Sequence, residues 1–302
     1  MPQRNEPREQ QATRAPARGS GSVPAARGAG HDRRPPERPR LWEEVPAVDT
    51  SHANPARMYD YALGGWHNFQ IDREVADAVF AVMPSGPAVA RSNRAFLRRA
   101  VEFCADAGIE QFVDLGSGIP TRGNTHEIAQ ARNPRARVVY VDNEPVAVAH
   151  TRQLLRGDAR AEVVQADVRD PSAVLDSEAA RRLLDFSRPV AVLAVAVLHY
   201  VGAGVEDVLA AYRLRCAPGS RLVVSHTTQD NQPEAAAEVR EVLARSGTEV
   251  FHRDRAAVER LFAGWRLVEP GVVWTPQWRA QPAEGERPEA SETWCGVAEL
   301  PG

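Results

Sequence analysis

The chain has 302 residues, and its hydrophobic fraction of 43% and charged fraction of 25% are those of an ordinary globular protein. All 37 basic residues are arginine, which excludes a Schiff-base lysine, a P-loop lysine and a lysine general base. The net charge of −3 hides a basic segment, because residues 1–40 hold nine Arg against four Asp or Glu. The remaining body is mildly acidic, so duplex nucleic acid is not the expected partner.

Residues 1–40 are rich in Pro, Arg, Gly, Gln and Ala and offer little to bury, so we predict a disordered tail. The longest apolar run, Val190–Leu198, is far shorter than the about 20 residues of a transmembrane helix. The N-terminus also lacks the apolar core of a secretory signal. The sequence therefore predicts a cytoplasmic protein that does not associate with membranes.

Three cysteines, Cys104, Cys216 and Cys295, are widely spaced and form no C-x-x-C pair. This pattern predicts neither a disulfide framework nor a zinc site. Histidine pairs at metal-ligand spacing are also absent from the sequence, so no metal is expected.

Helices are predicted first along the body. Asn54 and Pro55 begin a helix that ends at Gly64-Gly65, since Asn is a good cap and Pro fits the first turn. Ile71–Met83 and Val89–Ala107 follow, with apolar residues at helical spacing. We assign residues 41–108 to an N-terminal helical segment.

From residue 109 to 302 the pattern changes to an alternation of strands and helices. The predicted parallel strands are Gln111–Leu115, Arg137–Val141, Glu162–Gln165, Val190–Leu198 and Arg221–Ser225. The predicted helices between and after them are Asn124–Arg132, Pro145–Arg156, Pro171–Leu184, Val205–Cys216, Pro233–Arg245 and Asp254–Phe262. Arg266–Glu269 and Glu292–Ala298 are expected to close the sheet as an antiparallel pair, with Gln281–Ala290 as a loop before the last strand. The sequence thus predicts an α/β fold with a Rossmann-like, doubly wound, mostly parallel sheet of seven strands.

An acid and two glycines follow the first predicted strand. Asp114, Gly116 and Gly118 lie in the sequence D-L-G-S-G-I-P-T. Glycines let the backbone turn tightly and approach a ligand closely. Thr121 stands where a dinucleotide-binding loop has its third glycine, and a carboxylate beside the loop repels phosphate but attracts a cation. The loop therefore favours a ligand without a pyrophosphate.

Carboxylates also follow the second and third predicted strands. Asp142 is placed to accept hydrogen bonds from two ribose hydroxyls, and Asn143 is a second candidate contact or a helix cap. Asp167, followed by Val168, is placed to accept a hydrogen bond from an adenine amino group. Acids at three consecutive strand ends indicate a ligand with an adenosine and a positive charge, and S-adenosylmethionine fits that description.

These motifs resemble class I S-adenosylmethionine-dependent methyltransferases and, more narrowly, the bacterial S-adenosyl methyltransferase family typical of actinomycetes. The resemblance covers about residues 50–299 and includes N-P-A-R-M-Y-D-Y-A-L-G-G-W-H-N-F at 54–69, R-S-N-R-A-F-L-R-R-A at 91–100 and R-P-V-A-V-L-A-V-A-V-L-H-Y-V at 188–201. It implies cofactor contacts at Asp114, Gly116, Gly118, Asp142 and Asp167. Trp66 stands where a Lys is common in the family.

The segment after the fourth predicted strand carries the catalytic candidates His199 and Tyr200. In the families that the chain resembles, this segment faces the transferred methyl group. His199 is the candidate general base, because an imidazole titrates near neutral pH. The alternative for His199 is a hydrogen bond to backbone at a strand end, and Tyr200 fits a wall of the pocket better than a base.

The N-terminal helical segment carries the candidate lid residues. Tyr59, Tyr61 and Trp66 cluster beside Gly64-Gly65, which suits a glycine-hinged lid over the cofactor or the acceptor. Aromatic faces also stabilise a sulfonium by cation–π contact. Further candidates, which would bind a carboxylate of the cofactor or acceptor, are Arg57, Arg91 and Asn93.

The leading hypothesis is methyl transfer from S-adenosylmethionine to a small-molecule acceptor. One alternative is a non-catalytic S-adenosylmethionine-binding sensor or scaffold whose basic tail contacts a partner. Another, which Asp114 and Asp167 argue against, is an NAD-dependent oxidoreductase on the same sheet. The same cofactor also serves other transfers and cyclisations. The sequence contains no pattern that identifies the acceptor or the oligomeric state.

Overall fold

The structure is a computed structural model, and it describes residues 49–121, 123–280 and 288–302. The predicted disordered tail, residues 1–40, and most of the predicted loop 281–290 lie outside the described residues. The described residues all belong to one compact unit, Arg40–Gly302.

Three helices precede the sheet, as predicted: α1 Pro55–Ala62, α2 Gln70–Val82 and α3 Gly86–Asp106. The Asn54 side chain caps α1 by accepting a hydrogen bond of 2.8 Å from the backbone N–H of Ala56. We call these three helices the helical cap. They pack directly on the rest of the unit, and the predicted boundary near residue 108 stays a prediction.

Five parallel strands form the centre of the sheet, which confirms the predicted fold class. Their bounds are β1 Gln111–Leu115, β2 Arg137–Asp142, β3 Ala161–Gln165, β4 Ala191–Val195 and β5 Arg221–Thr227. Across the sheet they follow the order β3-β2-β1-β4-β5, so the strand order reverses between β1 and β4. In such sheets the ligand crevice lies outside the carboxyl ends of the strands at the point of reversal.

Seven helices follow in the second part of the chain: α4 Thr125–Arg132, α5 Pro145–Leu154, α6 Pro171–Leu175, α7 Glu178–Leu183, α8 Val205–Arg215, α9 Pro233–Arg245 and α10 Arg255–Arg260, counted over the described residues. The prediction of one helix over Pro171–Leu184 was wrong. The Ser177 hydroxyl accepts a hydrogen bond of 3.2 Å from the Ala180 N–H and starts α7 as a separate helix.

The prediction that β4 runs to Leu198 was also wrong. The strand ends at Val195, and Ala196 has a φ of 57°, in the left-handed region. A non-glycine residue rarely adopts this φ, and here it turns the chain out of the sheet. Leu198–Tyr200 then form a short 3₁₀ helix.

The predicted antiparallel closure is confirmed, with one difference. β8 Thr293–Glu299 pairs antiparallel with β5, and on its other side pairs with two short strands, β6 Arg266–Leu267 and β7 Val273–Trp274. The outermost position of the sheet is thus divided in two, which gives eight strands among the described residues instead of seven.

The core consists of two apolar layers, one on each face of the sheet. Val113 and Leu115 of β1 contribute to one layer and Phe112 to the other, as alternation along a strand requires. Strands covered on both faces fix the positions of the residues that follow their carboxyl ends. Among the described residues, no helix is long and apolar enough to cross a membrane.

Candidate active site

A cavity of about 680 Å³ lies at the carboxyl ends of β1–β5, and the helical cap and α9 form its other walls. Its volume is within the range of roughly 300–1,000 Å³ that is typical of cofactor and small-molecule sites. Every residue predicted to bind the cofactor lines it: Asp114, Gly116, Gly118, Asp142, Asn143, Asp167 and Val168.

The loop after β1 needs glycine at both predicted positions. Gly116 has a φ of 64°, and a Cβ there would lie 2.3 Å from Cγ2 of Val197. Gly118 has a φ of 67°, and a Cβ there would meet nothing within 4 Å. Gly116 thus permits close packing against the segment after β4, whereas Gly118 leaves open space beside the backbone.

Asp142 fixes this loop to the end of β2. Its Oδ2 accepts a hydrogen bond of 2.7 Å from the Gly118 N–H, and its Oδ1 accepts one of 2.9 Å from the Glu144 N–H. The carboxyl is buried, and this desolvation raises its pKa. Because a carboxylate has further lone pairs, it can also accept hydrogen bonds from a ligand.

Asp114 lies at the end of β1, and Thr125 Oγ1 donates a hydrogen bond of 2.6 Å to its Oδ2. Burial raises the pKa of this carboxyl to about 6. A nearby positive charge would therefore favour its ionised form. The geometry suits a cationic group of a ligand.

Asp167 is already paired with a residue that the sequence interpretation missed. Arg169 Nε donates a hydrogen bond of 2.9 Å to Asp167 Oδ1, and Arg169 Nη2 donates a second one to Asp167 Oδ2. The hydrogen bonds from Arg169 lower the pKa of Asp167. Arg169 also lines the cavity. Asp167 is only half-buried, so an adenine amino group would share this carboxylate with Arg169.

His199 and Tyr200 both line the cavity, in the 3₁₀ helix after β4. His199 is buried, and burial together with the neighbouring His226 lowers its pKa well below the ordinary value. The imidazole is therefore neutral near pH 7. Its Nδ1 has no hydrogen-bond partner among the described residues. Tyr200 packs with apolar residues of α2 and α9, including Val79 and Leu243, so it lies in a wall of the cavity.

Arg253 holds the backbone of this segment. Its guanidinium donates hydrogen bonds to the carbonyls of Leu198, Val201 and Gly202 at 2.9–3.2 Å. It also donates one of 2.7 Å to Nε2 of His226. The loop that carries His199 is therefore held by a residue of the segment between α9 and α10.

Two of the predicted lid residues, Tyr59 and Asn93, line the cavity and belong to one hydrogen-bond network. Asn93 Nδ2 donates to Tyr59 Oη at 3.0 Å, and Ser225 Oγ donates to Asn93 Oδ1 at 2.6 Å. Ser225 Oγ in turn accepts a hydrogen bond of 2.9 Å from the Ala196 N–H. The network connects the helical cap to the ends of β4 and β5.

The other predicted lid residues are not among the described residues that line the cavity, which corrects their placement. Arg57 is 2% exposed and forms ion pairs with Asp72 and Glu144, so it has no free face for a carboxylate. The Tyr61 hydroxyl donates to the Asp77 carboxylate at the surface, at 3.0 Å. Trp66 is 67% exposed, and Arg91 is exposed.

Several polar atoms in the cavity wall escaped prediction. Ser117 Oγ, Thr227 Oγ1 and Thr293 Oγ1 are buried and have no partner among the described residues. Thr227 and Thr293 lie opposite each other on β5 and β8. The sequence around these two threonines contains no motif, and their proximity depends on a strand pairing between distant parts of the chain. Within the described ranges, no three His, Cys, Asp or Glu side chains are grouped to hold a metal ion.

Residues 42–301 match the S-adenosyl methyltransferase family. The chain belongs to this family. It is similar to a solved DUF574 family protein from Streptomyces avermitilis, at 37% identity and a TM-score of 0.82, covering 84% of this chain and 100% of that one. It is similar also to a putative methyltransferase from Thermobifida fusca, at 41% identity and a TM-score of 0.81, covering 85% of this chain and 98% of that one. None of the curated proteins is significantly similar to the chain.

The cofactor of this methyltransferase family member is S-adenosylmethionine, and the cavity fits it. Acids at three strand ends match its hydroxyls, amino groups and positive charge better than they match phosphates. The unpartnered Ser117 hydroxyl and the open space beside Gly118 lie in the loop expected to contact it. Asp114, Gly116, Gly118, Asp142 and Asp167 are the residues that would hold it.

Proposed function

We propose that the protein transfers a methyl group from S-adenosylmethionine to a small-molecule acceptor, which binds between His199 and the helical cap. The observation that carries this proposal is the continuity of one cavity, which runs from Asp114 and Asp142 to His199, Tyr59 and Asn93. A cofactor at the strand ends and an acceptor under the helical cap would thus share one cavity.

When bound, the cofactor supplies an activated methyl group on a sulfonium sulfur, which retains the bonding pair as the methyl leaves. The protein then has mainly to position the nucleophile, about 3 Å from the methyl carbon and in line with the breaking bond. The strand-end acids fix one partner and the cap fixes the other. A bound acceptor that fills the cavity would also displace water, which would otherwise compete as a nucleophile.

His199 is the residue that we assign to the proton of the acceptor. Its neutral imidazole accepts a hydrogen bond from an O–H or N–H group and orients the lone pair of that group towards the methyl carbon. The low pKa makes His199 a weak base. A weak base suffices for an oxygen acceptor, because an oxygen that is gaining a methyl group becomes strongly acidic and then gives up its proton.

The hydrogen-bond network of Asn93 sets the position of His199 relative to the helical cap. Through Ser225 it reaches the N–H of Ala196, at the start of the segment that carries His199, and through Tyr59 it reaches α1. Asn93 thus ties the acceptor wall to the segment after β4. A change in this network would shift His199 relative to the cap.

Calorimetry with S-adenosylmethionine and NADH, on the wild type and Asp142→Ala, tests the cofactor. Binding of S-adenosylmethionine alone, weakened in the variant, supports the proposal and justifies an acceptor screen that detects S-adenosylhomocysteine release. A folded sample that binds NADH instead would favour an oxidoreductase. Cofactor binding without turnover across the screen, with partner capture lost on removal of residues 1–40, would favour a sensor or scaffold.

A further inference from the structure

The acceptor side of the cavity has a distinct chemical lining, which we call the acceptor chamber. It is lined by apolar residues of the helical cap and α9, with Tyr200: Met58, Val79, Phe80, Tyr200 and Leu243. Met58, Val79, Tyr200 and Leu243 belong to one apolar cluster that also contains Val239 and Val250. A ligand there would bury its surface mainly against hydrocarbon and ring faces.

Most charged groups of the cavity lie outside the acceptor chamber. Asp114, Asp142, Asp167 and Arg169 lie at or beside the ends of β1–β3, and Arg94 borders the glycine loop beside Asp114 and Gly118. Among the described lining residues, Glu249 is the remaining charged side chain; it precedes Val250 of the apolar cluster, but it is exposed, so solvent screens its charge.

A charged acceptor would be poorly accommodated in this chamber. A carboxylate or phosphate buried there would lack a cationic partner, and burial of an unpaired charge is costly. A cation would approach His199 and Arg253, and Arg253 already lowers the pKa of His199 through its positive charge. The chamber therefore disfavours both signs of charge.

Two threonines offer hydrogen bonds at the sheet end of the cavity. Thr227 and Thr293 face each other across β5 and β8, and both hydroxyl oxygens are buried without a partner among the described residues. Thr293 is 2% exposed, and Thr227 as a whole residue is half-buried. Buried hydroxyls are normally hydrogen-bonded, so these two are candidates to bond a ligand once rotation about χ1 turns them into the cavity that both residues line.

We infer that the acceptor is a neutral molecule with an apolar, ring-sized body and a hydroxyl or carbonyl oxygen that hydrogen-bonds to Thr227 and Thr293. This inference rests on the proposed function and names its substrate class. The hydroxyls fix the orientation of the acceptor, and the apolar wall supplies most of the binding free energy.

A set of matched probes tests the inference on the full chain saturated with S-adenosylhomocysteine. The probes are 2-naphthol, naphthalene, 2-naphthoate and 2-naphthylmethylamine, measured by calorimetry at pH 7. We expect 2-naphthol to bind about tenfold more tightly than naphthalene, as one good hydrogen bond allows. The two charged probes should bind at least about a hundredfold more weakly than 2-naphthol, since each would bury an unpaired charge.

Thr227→Val and Thr293→Val remove the hydroxyls and keep the shape of the side chain. We expect each to weaken 2-naphthol binding about tenfold, to leave naphthalene and S-adenosylhomocysteine binding unchanged, and to keep or raise the melting temperature, because an unpaired buried hydroxyl is removed. Thr228→Val is the matched control. Thr228 is 2% exposed, as Thr293 is, but its Oγ1 accepts a hydrogen bond of 3.1 Å from the Asp230 N–H. This variant should therefore lose stability while its affinity for 2-naphthol stays unchanged.

The inference is overturned if a charged probe binds as tightly as 2-naphthol, or if neither threonine variant affects 2-naphthol. It is overturned also if S-adenosylhomocysteine binds and none of the probes does. A folded protein that fails to bind S-adenosylhomocysteine would refute the proposed function itself. A separate titration with S-adenosylhomocysteine alone measures that affinity.

Discussion

Nη1 of Arg57 lies 3.2 Å from Oε1 of Glu144, and this buried contact joins α1 to the loop that follows β2. Arg57 Nε also donates a hydrogen bond of 3.0 Å to Oδ1 of Asp72, at the start of α2. The backbone N–H of Glu144 donates to Asp142. A continuous chain of hydrogen bonds thus links the helical cap to the carboxylate expected to hold the ribose.

Replacement of Arg57 by Ala should destabilise the protein by about 3–5 kcal/mol, because it leaves the buried carboxylates of Asp72 and Glu144 without their cation. Urea denaturation measures the change. Arg135→Ala is the control, since this arginine is 81% exposed in its pair with Glu110 and should contribute less than about 1 kcal/mol. Equal losses in the two variants would contradict the buried network.

Asp142→Asn should weaken S-adenosylmethionine binding by at least about tenfold. The amide has one acceptor oxygen, whereas Asp142 accepts hydrogen bonds from two backbone N–H groups with its two oxygens. Calorimetry gives the affinity. Asp170→Asn serves as the matched control, because Asp170 caps α6, is not among the described residues that line the cavity, and Asn is an equally good cap. Unchanged binding in Asp142→Asn would remove this residue from the cofactor site.

The affinity for S-adenosylmethionine should depend on pH through Asp114. Its pKa is raised to about 6 in the free protein, so the carboxyl is ionised above pH 6 and protonated below it. A cationic ligand favours the ionised form, so the affinity should be constant above about pH 7 and fall by up to about tenfold per pH unit below 6. Titrations between pH 5 and 8 measure this.

Asp114→Asn provides the control for the pH profile. The variant should bind more weakly than the wild type at pH 8 and should lose the dependence on pH between 5 and 7. A wild-type affinity that stays constant across this window would show that Asp114 does not face the positive charge of the cofactor.

Ala196→Gly should stabilise the protein by roughly 0.5–1 kcal/mol, because Ala196 has a φ of 57° and glycine adopts this conformation without a Cβ clash. Thermal unfolding measures the shift. Ala194→Gly, two residues earlier in the regular part of β4, should instead destabilise. A loss of stability in both variants would mean that the methyl group of Ala196 contributes more by packing than its φ costs.

Much of the fold was predictable because the strands and helices have local signals. Continuous apolar runs and turn residues predicted where β1–β5 lie along the chain. The end of β4 was not predictable, since the turn at Ala196 uses a left-handed φ without the glycine that normally marks one. The hydrogen bonds from Ala196 to Ser225, which hold this turn, join residues far apart in sequence.

The candidate site was predictable to the extent that it follows strand ends. Asp114, Asp142 and Asp167 converge on one cavity because the carboxyl ends of parallel strands meet at one edge. Arg57 was misjudged, because its burial depends on Glu144, 87 residues further along the chain. Thr227 and Thr293 were missed for the same reason, since their pairing is set by the register of two antiparallel strands.

The hydrogen bonds from Arg253 to the loop after β4 are accepted by main-chain carbonyls of Leu198, Val201 and Gly202. The course of that loop is thus fixed without reliance on the side chain at Val201, which lines the cavity. Val201 is 3% exposed and packs in the apolar layer, so an apolar residue of similar size there would change the cavity wall while the loop keeps its course. Under the proposed function, a library of apolar residues at this position would be a direct route to variants with an altered acceptor range.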